Sequence, residues 1–121
     1  FVPTLGITSS GFLYGELWNG SIGNITSSTA VNDGAWHQAV LVGNTNTQSL
    51  YLDNTLVGSR SGTIAQSWWT YTSIGTGYDI APTRLGAGTG WRYFSGDIDE
   101  VRVYSRALSA SEIRELYNFG R

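Results

Sequence analysis

The stretch of the chain that most constrains its fold is residues 94–117, near the C-terminus. Within it, residues 97–104 fit the period of two that places alternate side chains on opposite faces of a β-strand. One face would carry Ile98, Glu100, Arg102 and Tyr104, and the other Asp97, Asp99, Val101 and Val103. The pattern predicts a strand over residues 97–104 whose valine-bearing face lies toward the core, with Asp99 on that same face.

Signals for a short helix follow this strand pattern directly. Ser109 stands three residues before Glu112, which is the spacing of a capping box. Gly120 lies where a helix could end in the left-handed conformation that glycine adopts at little cost. The sequence therefore predicts one C-terminal helix over about residues 110–118.

Earlier in the chain, short apolar runs alternate with turn residues. Strands are predicted over residues 12–18, 21–27, 35–42, 49–52 and 55–59, with shorter ones near 71–75 and 83–85. Asp53 and Asn54 separate two of these runs by two residues, which predicts a tight hairpin. Sixteen glycines and only two prolines in 121 residues also favour an all-β protein with many turns. No linker or repeat divides the chain, so residues 1–121 are predicted to form one domain.

Composition excludes several classes of function. The seven positive residues are scattered arginines and the net charge is −2, so the electrostatic footprint of a nucleic-acid-binding protein is missing. The chain has no cysteine and one histidine, which excludes disulfides, thiolate metal sites and multi-histidine zinc sites. No run of about 18 apolar residues occurs, so no membrane span is predicted.

Four segments together resemble the laminin-G-like, concanavalin-A-like jelly-roll domains of secreted carbohydrate-active and adhesive proteins. They run from Gly96 to Tyr104, from Arg106 to Ile113, from Asp33 to His37 and from Leu50 to Asn54. The resemblance implies a jelly-roll sandwich of antiparallel strands with one short C-terminal helix. It also implies structural roles for His37 and for Trp36, which we expect to pack in the core.

Domains of this family usually carry several more strands before the region matched here. A sandwich without them would expose sheet edges and part of its core. Either this chain is a minimal version of the fold, or strands of the parent chain or of a second copy complete it. A protein-interaction or self-assembly module, completed by partner strands, is therefore one alternative function.

The acidic residues after Gly96 invite two chemical interpretations. Glucan hydrolases with a jelly-roll fold place a glutamate pair and an aspartate on one strand face. Here Asp97 and Asp99 share a face that no glutamate joins, because Glu100 points the other way, so we expect no enzyme activity. A hydrolase-related domain remains an alternative. The resemblance implies instead a structural calcium ion on Asp99, with Asp97 as the second candidate ligand.

Aromatic residues concentrate between residues 60 and 93, the least regular part of the chain. Candidate ligand-binding residues there are Trp68, Trp69, Tyr71, Tyr78, Trp91, Arg92 and Tyr93. Indole and phenol rings can stack on the apolar faces of sugar rings, or they can simply cap a small core. We expect Trp69 and Trp91 to be exposed. The predicted function is non-catalytic binding of glycans or an extracellular protein, as a lectin-like or adhesive module at the cell surface or in the extracellular medium.

Overall fold

The computed structural model describes residues 4–18, 20, 23–65, 72–79, 85–86 and 88–120. These residues form eight strands and one helix. The strands are β1 Leu5–Ile7, β2 Phe12–Gly15, β3 Ile25–Ala30, β4 Ala39–Gly43, β5 Thr47–Leu52, β6 Thr55–Ser61, β7 Thr76–Asp79 and β8 Gly90–Tyr93. The helix, α1, is Ala110–Phe119. No described helix has the length and apolar character needed to cross a membrane.

The strands pair antiparallel throughout, which confirms the all-β prediction. One sheet has the order β1-β2-β3, a second has β4-β5-β6, and β7 pairs with β8. In the second sheet, the turn between β5 and β6 places Asp53 at φ 49° and Asn54 at φ 65°. A type I′ hairpin turn needs positive φ at both central residues, and aspartate and asparagine tolerate it. The predicted hairpin at this position is therefore confirmed.

The two larger sheets meet around a small apolar core. Leu13, Ile25 and Leu50 form the buried cluster, and Leu50 is 0% exposed. Glycine allows this close approach, because a Cβ on Gly15 would lie 2.8 Å from a Leu50 methyl carbon. A Cβ on Gly58 would lie 3.1 Å from Ile25. Side chains of each sheet therefore pack directly against the backbone of the other sheet.

Buried polar groups add specific links to this core. The amide of Gln48 on β5 accepts from the backbone N–H of Leu17 at 2.6 Å and donates to its carbonyl at 2.7 Å. Glu16 is 1% exposed and accepts from the Tyr14 hydroxyl and, at 3.0 Å, from the backbone N–H of Gly23. Such groups are tolerated in an interior only when they are hydrogen-bonded.

Helix α1 begins as the sequence predicts. The backbone N–H of Glu112 donates to the Ser109 hydroxyl at 3.3 Å, and the N–H of Ser109 donates to the Glu112 carboxylate at 2.8 Å. Arg106 pairs with Glu112 at 2.7 Å, and this pair together with the Ser109 N–H lowers the pKa of Glu112 to about 2. The end of the helix differs from expectation, because Gly120 has φ −82° rather than a left-handed conformation.

Replacing Ser109 by alanine should lower the free energy of unfolding by about 1 kcal/mol, because an N-terminal N–H of the helix loses its acceptor. Urea unfolding followed by circular dichroism measures the loss. Ser105→Ala, at an exposed position outside the cap, is the matched control and should change stability by no more than about 0.5 kcal/mol. Equal losses in the two variants would contradict a capping role.

The strand predicted over residues 97–104 is wrong in this structure. Those residues lie outside any strand, and every one of them is exposed, Asp99 included. A strand needs a neighbouring backbone to accept and donate its hydrogen bonds, and none of the described strands pairs with these residues. The alternation is present in the sequence, but the pairing that would make it a strand is not.

Candidate functional site

A cluster of exposed ring side chains lies on the β7–β8 hairpin. The register pairs Tyr78 with Trp91 and Thr76 with Tyr93. Because Trp91 and Tyr93 are two residues apart on β8, their side chains project from the same face. Trp91 is 54% exposed and Tyr93 is 77% exposed. The hairpin therefore presents an indole and a phenol side by side to solvent, and we call these two residues the aromatic platform.

The platform is supported from the neighbouring strand. The Tyr78 ring meets the Trp91 ring edge to face, with centroids 5.6 Å apart and an interplanar angle of 82°. This arrangement is a favourable one for aromatic pairs, so it restricts the indole orientation. The expected exposure of Trp91 is confirmed, and Tyr78 is half-buried beside it. Trp68, Trp69 and Tyr71 lie outside the described residues.

Hydrogen bonds attach the hairpin to the first sheet. Asp79, at the end of β7, is 0% exposed and accepts from the backbone N–H of Leu85 at 3.2 Å. Leu85 is buried, and its carbonyl accepts from the N–H of Ser9 at 2.7 Å. Ser9 follows β1, so the contact ties the hairpin to the turn between β1 and β2. The platform thus stands on an anchored element rather than on a free loop.

Arg92, the remaining predicted ligand-binding residue on β8, points to the other face of the strand. It is half-buried, and its guanidinium donates to the carbonyl of Gly88. Its own carbonyl accepts from the Thr76 hydroxyl at 3.0 Å. The structure therefore brings Tyr78, Trp91 and Tyr93 together and gives Arg92 contacts within the hairpin. Its role in ligand binding stays a prediction.

The two predicted calcium ligands lie elsewhere. Asp97 and Asp99 are exposed, and an Asp99 oxygen accepts from the N–H of Glu100 at 2.8 Å. The expectation that Asp99 faces the core is wrong, because the strand that would turn it inward is not formed. Across the described ranges no three carboxylate or histidine side chains gather as a metal site would require. The calcium ion on these residues stays a prediction.

The exposure of Trp36 was not expected. Trp36 is 69% exposed, so the expectation that it packs in the core is wrong. It follows the loop at Gly34, whose φ is 82°, and it precedes β4 rather than belonging to it. A signal was available, because Asp33 and Gly34 mark a turn just before it. Because the Trp36 indole is exposed and lies outside the platform, Trp36 can serve as the control residue in experiments on Trp91.

His37, beside Trp36, joins two loops. Its Nδ1 lies 2.7 Å from Asp53 Oδ2, and its Nε2 lies 3.0 Å from Asp33 Oδ1. Both nitrogens can donate only when the ring is protonated. The bonds to Asp53 first, and then to Asp33, raise the pKa of His37 above its usual 6.5. The pKa of Asp33 is lowered, first by the N–H of Ala35 and then by His37. The structural role that the sequence implied for His37 agrees with these contacts.

This histidine should make stability depend on pH. A raised pKa in the folded state means that the His37 contribution is complete below the unfolded pKa of about 6.5 and is lost as pH rises through the folded value. His37→Gln should therefore cost about 1 kcal/mol more at about pH 5.5 than at about pH 9. Urea unfolding of both proteins at the two pH values measures this difference. A cost that does not change with pH would contradict the doubly bonded imidazolium.

Comparison with known proteins identifies the family to which this chain belongs. A chain of an S-layer domain-containing protein from Clostridium thermocellum is similar in structure, with a TM-score of 0.61 and 26% sequence identity. The match covers 78% of this chain and 45% of that one. A search of the curated proteins gave no match. The Laminin G 3 family, described as the concanavalin A-like lectin/glucanases superfamily, matches residues 3–114. The chain therefore belongs to the concanavalin A-like lectin/glucanase superfamily, as its sequence motifs indicate.

Proposed function

We propose that this protein is a non-catalytic glycan-binding module that works outside the cell or at its surface, and that the aromatic platform holds the ligand. The observation that carries the proposal is the pair of exposed rings on one face of an anchored hairpin, Trp91 at 54% and Tyr93 at 77% exposure. Exposed apolar side chains that adjoin one another mark binding surfaces more often than singly exposed ones do.

The chemistry of the platform suits sugars. One face of a pyranose ring consists of C–H groups, which pack on the flat surface of an indole or a phenol. Adjacent same-face positions of a strand are about 6.6 Å apart, which is comparable to the length of one sugar ring. Trp91 and Tyr93 could therefore take two successive sugars of a chain. The membership in a superfamily of lectins and glucanases supports this ligand class.

Non-catalytic binding is favoured over hydrolysis by the placement of the acidic residues. A retaining glycosidase needs two carboxyl groups about 5 Å apart on either side of the bond that is cut. Asp97 and Asp99, which the hydrolase hypothesis would use, lie in the exposed segment after the hairpin. The described platform is built from rings, and rings bind sugars without activating water.

The proposal is tested by titrating the protein with linear oligosaccharides of glucose, mannose, galactose and N-acetylglucosamine, using tryptophan fluorescence and calorimetry. We expect at least one of them to bind with a Kd of about 1 mM or tighter, since single stacking sites are weak. Trp91→Ala should weaken this binding about tenfold or more. Trp36→Ala is the matched control, because Trp36 is a second exposed indole, outside the hairpin and even more accessible than Trp91.

Three results would reject the proposal. In the first, none of the four oligosaccharide series binds. In the second, Trp91→Ala binds as the native protein does, which would remove the platform from the site. In the third, Trp36→Ala loses binding to the same extent, which would mean that the sugar associates with any exposed indole.

A further inference from the structure

The loop between β3 and β4, residues 31–38, is held by hydrogen bonds at its two ends and is exposed between them. The N–H of Val31 donates to a carbonyl of the β1–β2 turn at 2.8 Å, and the N–H of Gln38 donates to a carboxylate of the β5–β6 turn at 2.8 Å. Residues 33–36 between these anchors are all exposed. In the described part of the chain, none of them shares a backbone–backbone hydrogen bond with another residue. Side chains must therefore hold this part of the loop in place.

His37 provides the side-chain contacts. Its Nε2 lies 3.0 Å from Asp33 Oδ1 on the same loop, and its Nδ1 lies 2.7 Å from Asp53 Oδ2 on the β5–β6 turn. A protonated imidazole donates at both nitrogens, so it links the loop to the turn through two charged hydrogen bonds, which we call the His37 bridge.

The two aspartates are the charged groups that face the ring. A cavity of about 350 Å³ beside His37 is lined by residues of β3, β5 and β6, and among the described residues of this lining only His37 and Asp53 are titratable. Asp33, on the other side of the ring, completes the set. The state of the bridge is therefore decided by whether His37 carries its second proton.

Loss of that proton affects the two hydrogen bonds differently, because a neutral imidazole keeps only one N–H. The bond to Asp53 is the shorter one, and the Asp53 side chain is 31% exposed against 52% for Asp33. Asp53 is also held by the N–H of Gln38, which does not titrate. The remaining proton therefore stays on Nδ1. Nε2 then presents a lone pair to Asp33 Oδ1, and two acceptors at 3.0 Å repel each other.

We propose that the His37 bridge is a pH-dependent switch that orders residues 33–36 when the ring is protonated and releases them when it is neutral. The released segment carries Trp36, which is 69% exposed, so the switch decides whether this indole has a fixed position. The bonds to Asp53 first, and then to Asp33, raise the pKa of His37 above 6.5, so the segment stays ordered at pH values where a free histidine is largely neutral. This release is local and independent of sugar binding, and the chain stays folded in both states.

The test measures NMR relaxation of the Cα–H bonds of the native chain, together with the imidazole nitrogen shifts of His37, as pH is raised. Order parameters of residues 34–36 should be about 0.85 at about pH 5.5 and should fall below about 0.6 at about pH 9. Gln38, which keeps its bond to Asp53, should stay at about 0.85 throughout. The nitrogen shifts should show that the ring loses its proton from Nε2 and keeps the one on Nδ1.

Three variants identify the titrating group. His37→Gln removes it, so residues 34–36 should have the same order parameters at both pH values. Asp33→Asn keeps the histidine but removes one of the charges that hold its proton, so the titration of His37 and the release of the loop should move together to lower pH. Glu115→Gln removes an exposed carboxylate from α1 and is the matched control, which should leave both midpoints unchanged.

Asp33→Asn keeps the proposal testable even if His37→Gln fails to fold, because loop release must follow the imidazole titration in that variant too. A native loop that is equally ordered at both pH values would overturn the proposal. So would a release that persists in His37→Gln, or one whose midpoint in Asp33→Asn does not move with that of the ring. A neutral ring that carries its proton on Nε2 would show that Asp33 is the partner retained, which the proposal excludes.

Discussion

Replacing Leu50 by alanine should lower the free energy of unfolding by about 3 kcal/mol. Leu50 is 0% exposed and lies in the cluster with Leu13 and Ile25, where the two larger sheets meet. Gly15 approaches its methyl groups so closely that a Cβ there would lie 2.8 Å away. Truncation of Leu50 would therefore leave a cavity bordered by backbone, which cannot collapse easily.

Urea unfolding of the variant measures this loss, and Leu56→Ala is the matched control. Leu56 lies on β6 in the same sheet but is 51% exposed, so its truncation should cost no more than about 0.5 kcal/mol. Domains of this size are stable by about 5–15 kcal/mol, so the Leu50 change would remove a large share. Equal losses in the two variants would contradict the placement of the core between these sheets.

Replacing Glu16 by alanine should cost about 2–3 kcal/mol, although glutamate is a charged residue that usually favours the surface. Glu16 is 1% exposed and accepts hydrogen bonds from the Tyr14 hydroxyl and the N–H of Gly23. The alanine variant would leave the buried Tyr14 hydroxyl and the half-buried N–H of Gly23 without this acceptor. The cost arises from their lost hydration, which the folded protein no longer compensates.

Two variants separate this explanation from a general effect of removing charge. Glu16→Gln keeps an acceptor oxygen, so it should cost less than the alanine change. Glu115→Ala removes an exposed glutamate from α1 and should be within about 0.5 kcal/mol of the native protein. If the glutamine variant loses as much as the alanine variant, the carboxylate charge matters and the two hydrogen bonds alone do not account for the cost.

The parts of the fold that could be predicted from sequence are those fixed by local chemistry. The turn at Asp53 and Asn54 requires positive φ, and aspartate and asparagine adopt positive φ more readily than most other residues. The start of α1 is set by the Ser109–Glu112 capping box, which operates within a single turn. Neither feature depends on a distant segment, so a few neighbouring residues are enough to predict the turn and the start of the helix.

The parts that could not be predicted depend on long-range pairing. Residues 97–104 have the pattern of a strand, but a strand forms only when a neighbouring backbone is available. Strand β1 was missed because it is three residues long and its pairing with β2 is decided by tertiary contacts. The exposure of Trp36 was missed for a related reason, since a tryptophan in a matched motif does not reveal which surfaces lie around it.

The candidate site was predicted in part. The exposure of Trp91 was predicted from the sequence. Strand β8, which places Tyr93 on the same face as Trp91, was not predicted, because it is defined by its pairing with β7. Arg92 was expected beside the rings and instead lies on the other face of the strand. The face on which Arg92 lies follows from the alternation of side chains along a strand. That alternation could not be applied, because the sequence of residues 60–93 did not show where β8 begins and ends.

The most direct test of the aromatic platform is a 1H–15N correlation spectrum of the tryptophan indole groups during titration with the oligosaccharide that binds best. The chain has five tryptophans, and the Trp91 and Trp36 signals can be assigned from the Trp91→Ala and Trp36→Ala variants. Glycan binding at the platform requires the Trp91 indole signal to shift with sugar concentration while the Trp36 signal stays in place. A titration that leaves the Trp91 signal unmoved, while the sugar demonstrably binds, would contradict the proposed site.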